Sequence, residues 1–342
     1  MATPIRIAVD AMGGDRAPAE VVAGALASCD EPGHEVVLVG RPDAIDPLMR
    51  GRSFPAERVR IQPAEEVVGM GDPTASALKR RNTSLAVAVQ LLHDREVRAV
   101  VSAGNSAAFM AYATLRLDTV EGVARPAIAI FLPAPTGKRV LLDAGANANC
   151  KPEHLVQFAH MGAVYARDVL GVASPRVGIL SIGEEATKGS GLVKAAHKLL
   201  SEDEALNFVG NVEGTTAFAD VADVIVCDGF TGNVFLKTAE GTATAMVEVL
   251  REAFRSSWRA KLGAWLSAGA LREFRRAFDY AAYGGALLLG VKGICVVCHG
   301  RSDARAIRGA IAVARRAVAT GVEEQISASC RRAEPEAVVA AS

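Results

Sequence analysis

The stretch Val140-Leu-Leu-Asp-Ala-Gly-Ala-Asn147 decides how the whole chain is read. A short apolar run stops in a loop of Asp, Gly, Ala and Asn, and a helical pattern opens soon after, at Pro152. The same arrangement recurs along the chain. Ile5-Arg-Ile-Ala-Val9 leads into Asp10-Ala-Met-Gly-Gly-Asp15, and Val100-Val-Ser102 into Ala103-Gly-Asn-Ser106. Val177-Gly-Ile-Leu180 leads into Ser181-Ile-Gly-Glu-Glu-Ala-Thr-Lys-Gly189, and Val224-Ile-Val226 into Cys227-Asp-Gly-Phe-Thr-Gly-Asn233. Strands that alternate with helices predict an α/β fold with a parallel sheet, whose ligands bind outside the carboxyl ends of the strands. The polar loops are therefore expected to converge on one crevice, which is the layout of an enzyme.

The chemistry of those loops points to an anion. Glycines let backbone N–H groups come close to a ligand, and each following helix turns its positive end toward the crevice. Phosphate is the best match. Lys188, between Thr187 and Gly189, is the one lysine embedded in these loops and adds a mobile positive charge. Glycine after a strand is also an ordinary turn residue, so it is the loops together, and not any one of them, that point to an anion.

Composition sets the frame. Of 342 residues, 50% are hydrophobic but only 5% aromatic, so the core has to be Ala, Val and Leu packed between helices and sheet. Lys+Arg and Asp+Glu both number 38, which gives no global electrostatic reason to expect nucleic acid. The N-terminus shows no basic, apolar leader, and no apolar run reaches membrane-spanning length, so a cytoplasmic protein is expected. Further strands are expected at Glu35 to Gly40 and Val59 to Gln62, and helices at Pro18 to Ser28, Ser84 to His93, Pro152 to Leu170, Leu192 to Leu200 and Ala304 to Ala319. The length allows two domains, yet residues 1–330 read as a single α/β catalytic domain, with 331–342 a disordered tail. His154, His160 and His197 fall on the helices without a paired ligand pattern and read as surface or packing residues.

Six cysteines are present, and Cys295-Val-Val-Cys298-His299 matches a haem-attachment pattern and half of a zinc pattern. The run Ile294-Cys-Val-Val-Cys is itself apolar and β-branched, so it reads as a buried strand. Residues three apart on a strand point to opposite faces, which frustrates joint ligation. His299-Gly300 is read as opening a sixth loop at the end of that strand.

One stretch departs from the pattern. Within Arg251 to Phe278, Phe254, Trp258, Leu262 and Trp265 repeat at helical spacing, with Arg251, Arg255 and Arg259 on the adjoining row. After Ser267-Ala-Gly269 a second stripe follows at Leu271, Phe274 and Phe278, flanked by Arg272, Arg275 and Arg276. A basic, amphipathic helical hairpin with both tryptophans on its apolar face suits an anionic bilayer surface. It equally suits packing on the sheet or on a second subunit.

The segments Asp10 to Asp15, Ser102 to Asn105, Leu142 to Asn147 with Cys150-Lys-Pro-Glu-His-Leu155, Gly183-Glu-Glu with Lys188-Gly189, Gly210-Asn-Val-Glu-Gly214, Cys227 to Asn233 and His299-Gly-Arg-Ser302 occur in order. Together they resemble the bacterial phosphate acyltransferase family, the acyl-ACP:phosphate transacylases of membrane phospholipid synthesis, from about residue 5 to 320. The resemblance implies a Rossmann-like three-layer fold related to the phosphate acetyltransferase and isocitrate dehydrogenase architecture. It implies a homodimer in the cytoplasm with peripheral contact to the membrane, and it tips the hairpin toward membrane contact. The implied reaction moves a long fatty acyl group from acyl carrier protein to inorganic phosphate, and a glycerol-3-phosphate acyltransferase would consume the acyl phosphate. No cofactor or metal is implied.

By the same resemblance, Lys188 holds phosphate and offsets charge in the transition state, and Asn233 orients the carbonyl or the phosphate. Asn105, Ser106, Gly13 and Gly14, with Asp10, Asp228 and Gly232, would form the phosphate cradle, while Asp143 and Asn147 brace neighbouring loops. Where the family usually continues Ala-Gly-Asn-Thr-Gly, this chain has Ala103-Gly-Asn-Ser106-Ala107, which keeps the hydroxyl. Because acyl carrier protein is acidic, Arg255, Arg259, Lys261, Arg272, Arg275 and Arg276 are the expected docking cations, and Trp258, Leu262 and Trp265 the expected membrane contacts. Two alternatives stay open: acyl transfer from coenzyme A to phosphate, and a non-catalytic phosphate sensor or membrane scaffold. A related metal-dependent dehydrogenase is disfavoured because no Gly-x-Gly-x-x-Gly follows the first strand.

Overall fold

Strand runs rich in Val, Ile and Ala assemble one 11-stranded sheet in a computed structural model that describes residues 4–133, 138–269 and 285–332. In chain order the strands are β1 (Ile5–Asp10), β2 (His34–Gly40), β3 (Val59–Pro63), β4 (Ala99–Ser102), β5 (Ala127–Pro133) and β6 (Lys138–Leu142). They continue with β7 (Arg176–Ser181), β8 (Asn207–Glu213), β9 (Val224–Val226), β10 (Ala286–Leu289) and β11 (Ile294–Val297). Their order across the sheet is β3-β2-β1-β4-β11-β10-β5-β6-β9-β7-β8.

The sheet is mostly parallel, but its two halves run in opposite directions. β3, β2, β1, β4 and β11 are parallel to one another, as are β6, β9, β7 and β8. The antiparallel pairs β11/β10, β10/β5 and β5/β6 join them. A mostly parallel sheet is what the sequence led us to expect; the reversal means that the loops of the two halves leave the sheet in opposite directions. Register repairs the difference. Ser102 pairs with Val297, Val297 with Ala286, the next residue Leu287 with Ala129, and Ile130 with Leu141. The carboxyl end of β4 and that of β6 thus sit within about two residues of one level, pointing toward each other across β11, β10 and β5.

Alternation along each strand builds a core on both faces. Ile7 and Val9 belong to one apolar cluster with Val21, Val22 and Leu26 of the Ala19–Ser28 helix, and with Ile307 and Ile311 of the Ala304–Ala319 helix. Ala8 and Val100, on the opposite pleat, join Leu85 and Val89 of the Ser84–His93 helix and Phe109 and Tyr112 of the Ser106–Leu117 helix. The period of two on the strands and 3.6 on the helices makes this sorting automatic.

Two expectations change at the C-terminal side. The Arg251–Phe278 stripe is not continuous: Arg251 to Arg255 end the long Gly229–Arg255 helix, and a new helix, Trp258–Leu266, starts after Ser257. The Ser257 hydroxyl accepts the Ala260 N–H, a capping bond that fixes the break. Residues 270–284, with Arg272, Arg275 and Arg276, lie outside the described residues. Arg331 and Arg332, expected in the tail, instead end the Val322–Arg332 helix, in which Val322, Ile326 and Cys330 are buried; residues 333–342 lie outside the described residues. Cys295 and Cys298 fall in opposite apolar clusters, as strand geometry requires.

Candidate active site

Asp143 is the keystone of the loop after β6. It is wholly buried, and its Oδ1 accepts the backbone N–H groups of Ile128, Gly145 and Ala146 at 2.9–3.0 Å. Its Oδ2 accepts Asn147 N at 2.7 Å and Asn147 Nδ2 at 2.9 Å. Asn147 also reaches the Pro126 carbonyl at 2.7 Å, so the loop is stitched to the start of β5. Gly229 N then donates to the Asn147 carbonyl, which docks the first turn of the long helix onto the same loop.

That helix begins with Asp228, whose Oδ1 accepts Thr231 N at 2.9 Å and whose Oδ2 accepts the Thr231 hydroxyl at 2.7 Å. Both carboxylate oxygens are therefore engaged in capping the helix. Gly232 lies against the Asp143 carbonyl so closely that a Cβ would run into it, and against Cys227 Sγ. Replacing Gly232 with alanine must push the helix off the loop. The expected result is a loss of at least ~2 kcal/mol, read as a lowered midpoint in urea unfolding; an unchanged midpoint would show that the contact relaxes freely. Asn233, next along, stands exposed over Gly145.

On the other half, Asp10 is buried and its carboxyl takes the Ser102 hydroxyl at 2.7 Å and Met12 N at 3.3 Å. Burial raises its pKa, with hydrogen bonds partly opposing. Gly13 sits between that carboxyl and Gly104, and Gly14 has the left-handed φ of +113° beside Ala103 and the Gly300 carbonyl. Asn105 caps the Ser106–Leu117 helix by accepting Ala108 N, while its amide nitrogen lies 3.1–3.3 Å from the carbonyls of Gly69, Met70 and Asp72. Asp10 and Asn105 are thus occupied in holding loops together.

Between the two halves lies a cavity of about 420 Å³. Ile128, Ile130, Phe131, Met110 and Leu236 form an apolar wall; Ser106, Gly145, Asn233, Lys237, Glu240, His299 and Ser302 supply the polar groups. Of the residues picked from sequence, Ser106 and Asn233 line it. Lys188 does not: it stands exposed in the loop after β7, its stem packed over Gly183, next in the sheet to the β9 loop that launches the Asn233 helix. Lys237 and His299 were missed as site residues. Lys237 was findable as the residue one turn beyond Asn233 on the same helix.

Cys298 also borders the cavity, but burial pushes its thiol up to about 12, and Cys150 is raised to about 11 by burial and the nearby Asp143. In both, burial favours the neutral thiol over the thiolate. Among the described residues, no three of His, Cys, Asp and Glu come together as a metal-holding group.

His154, His160 and His197 hold the fold. His154 closes the first turn of the Pro152–Asp168 helix by accepting Lys151 N, and buried His160 lies between Ser329 Oγ and Asp203 Oδ2 at 2.9 and 2.7 Å. His197 meets Asn211 Oδ1 at 2.9 Å. Outside the cavity, Trp258, Leu262, Trp265 and Leu266 stand exposed, Trp265 at 73%, and the Arg259 guanidinium lies over the Trp258 ring. No helix among the described residues is long and apolar enough to cross a membrane.

Comparison with known proteins adds the following. A family model described as "Fatty acid synthesis protein" matches residues 5–325. The chain is 49% identical over 316 residues to a phosphate acyltransferase of Heliobacterium modesticaldum, covering 92% of this chain and 94% of that protein. It is 48% identical over 324 residues to a phosphate acyltransferase of Desulfitobacterium hafniense, with 94% and 96% covered. Among solved structures, a phosphotransacetylase from Streptococcus pyogenes superposes with a TM-score of 0.64 at 14% identity, covering 94% of each chain. A phosphotransacetylase from Staphylococcus aureus gives 0.60 at 15% identity, covering 92% of this chain and 94% of the other. At such identities these two structures speak for the fold alone.

Proposed function

The chain belongs to the phosphate acyltransferase family of fatty acid synthesis proteins, and from that premise we propose that it transfers a long-chain fatty acyl group from the thioester of acyl carrier protein to inorganic phosphate. The observation that carries this reading is the cavity itself: an apolar wall fit for an alkyl chain, and polar groups fit for a thioester and a phosphate. Phosphate is already largely anionic at neutral pH, so it needs positioning and charge compensation more than a strong base. In this reading a phosphate oxygen attacks the thioester carbonyl directly.

In this reading Asn233 donates to the carbonyl or the phosphate, and Lys188 brings its ammonium from the neighbouring loop to offset transition-state charge. Gly13, Gly14 and Ser106 offer the phosphate cradle. Residues 1–330 act as one catalytic domain. Arg255, Arg259 and Lys261 form the surface for the acidic carrier protein, and the exposed Trp258, Leu262 and Trp265 hold a cytoplasmic homodimer against an anionic membrane. The acyl phosphate then passes to a glycerol-3-phosphate acyltransferase.

The test is phosphate-dependent release of free carrier thiol from palmitoyl-ACP, run beside palmitoyl-CoA and acetyl-CoA. The expected order is ACP first and acetyl-CoA inert, with Lys188→Ala at least tenfold slower. Preference for coenzyme A donors would select the alternative acyl donor. Phosphate binding with no turnover would leave the protein a sensor or scaffold.

A further inference from the structure

His299 borders the same cavity as Asn233, and its own loop fixes how its ring is used. Its Nδ1 accepts a hydrogen bond from Arg301 N at 3.1 Å. A backbone N–H only donates, so Nδ1 must offer its lone pair, and the neutral ring then carries its proton on Nε2. The loop is anchored on both sides. Ser302 N donates to the His299 carbonyl at 2.9 Å, and Asp15 N donates to the Gly300 carbonyl at 2.8 Å. β11, which ends two residues before His299, is held between β4 and β10. Nε2–H is the ring's remaining donor, on an exposed side chain that borders the cavity and rides on a loop pinned from both sides.

We propose that His299 is a catalytic residue whose Nε2–H donates to the thioester carbonyl oxygen as that oxygen becomes an oxyanion. The inference rests on the acyl-transfer reading above. A phosphate oxygen attacks the carbonyl carbon, and the π electron pair moves onto the carbonyl oxygen, where Nε2–H meets it. When the C=O bond re-forms, the C–S bond breaks, and the departing thiolate takes the proton that hydrogen phosphate gives up. His299 gives a hydrogen bond throughout and no proton, so it ends each cycle as it began. Service as a general base through Nε2 would need the proton on Nδ1, where it would face the Arg301 N–H.

Three variants separate this role from a structural one. In His299→Gln the side-chain amide nitrogen reaches the Nε2 position and keeps the donor. In His299→Asn the amide oxygen replaces Nδ1 and keeps the bond to Arg301, but the donor is lost. His299→Ala loses both. In the palmitoyl-ACP assay, Gln should stay within about tenfold of wild type, while Asn and Ala fall about 10²–10³-fold in kcat, the loss typical of one oxyanion donor. Because Asn preserves the loop bond, its melting temperature should match wild type. A fast Asn variant with a slow Gln variant, or three variants of equal rate, would overturn the role of His299 alone. An inert wild type would overturn the acyl-transfer reading, and this inference with it.

Discussion

Asn233→Ala should lower kcat/KM for phosphate-dependent thiol release by about 10²–10³-fold while leaving stability unchanged or slightly raised. The two halves of that expectation have separate causes. Asn233 is exposed within the Gly229–Arg255 helix, past its first turn, and among the described residues its side chain has no hydrogen-bond partner. Removing it leaves no buried group unpaired, and alanine is the better helix former by a few tenths of a kcal/mol. Any loss of activity therefore has to come from the cavity and not from the fold. Measuring kcat/KM and the thermal midpoint on one preparation decides it. Activity within threefold of wild type would remove Asn233 from the reaction, and the donor role would pass to Lys237 or Ser106, which border the same space.

Asp143→Ala should do the reverse and strike the fold first. The substitution leaves four backbone N–H groups and the Asn147 amide without their acceptor, in a place where the carboxylate is fully buried. An unsatisfied buried donor costs about 1–3 kcal/mol, and water entering the vacated space recovers only part of that. A net loss of ~4 kcal/mol or more is expected, a large share of the ~5–15 kcal/mol that holds a typical domain. Asp143→Asn is the sharper control. It keeps size and shape but can turn only one oxygen toward these donors, and its NH₂ opposes the rest. It should remain clearly below wild type in urea midpoint. An alanine variant that unfolds within 1 kcal/mol of wild type would mean that the loop finds other acceptors.

The sequence was a good guide where local pattern and structure coincide. β1, β4, β6, β7 and β9 were legible because each apolar run stops in a polar loop ahead of a helix, and the Pro152 and Ala304 helices because their apolar residues recur at helical spacing. β5 and β10 were not. They enter antiparallel pairs and are not followed by a glycine-rich loop and a helix, so a search for that unit passes over them, as it does over the parallel edge strand β8. That omission mattered, because Ile128, Ile130 and Phe131 of β5 form much of the cavity wall. The direction of a strand is also absent from any local pattern, which is why the reversal of the second half was invisible. The single stripe read from Phe254 to Trp265 failed for a legible reason. Ser256-Ser257 is a stop followed by a cap, and apolar periodicity alone overran it.

The Gly229–Arg255 helix carries Asn233, Lys237 and Glu240 at the cavity, and Met246, Val249 and Leu250 exposed further along. At about 1.5 Å and 100° per residue, the chemical end and the apolar end are locked in phase as well as in distance. Inserting or deleting one residue between Glu240 and Met246 would swing the outer face about a quarter-turn from the cavity without altering a single side chain at either end. A change of length in this segment is therefore expected to cost more than a change of composition.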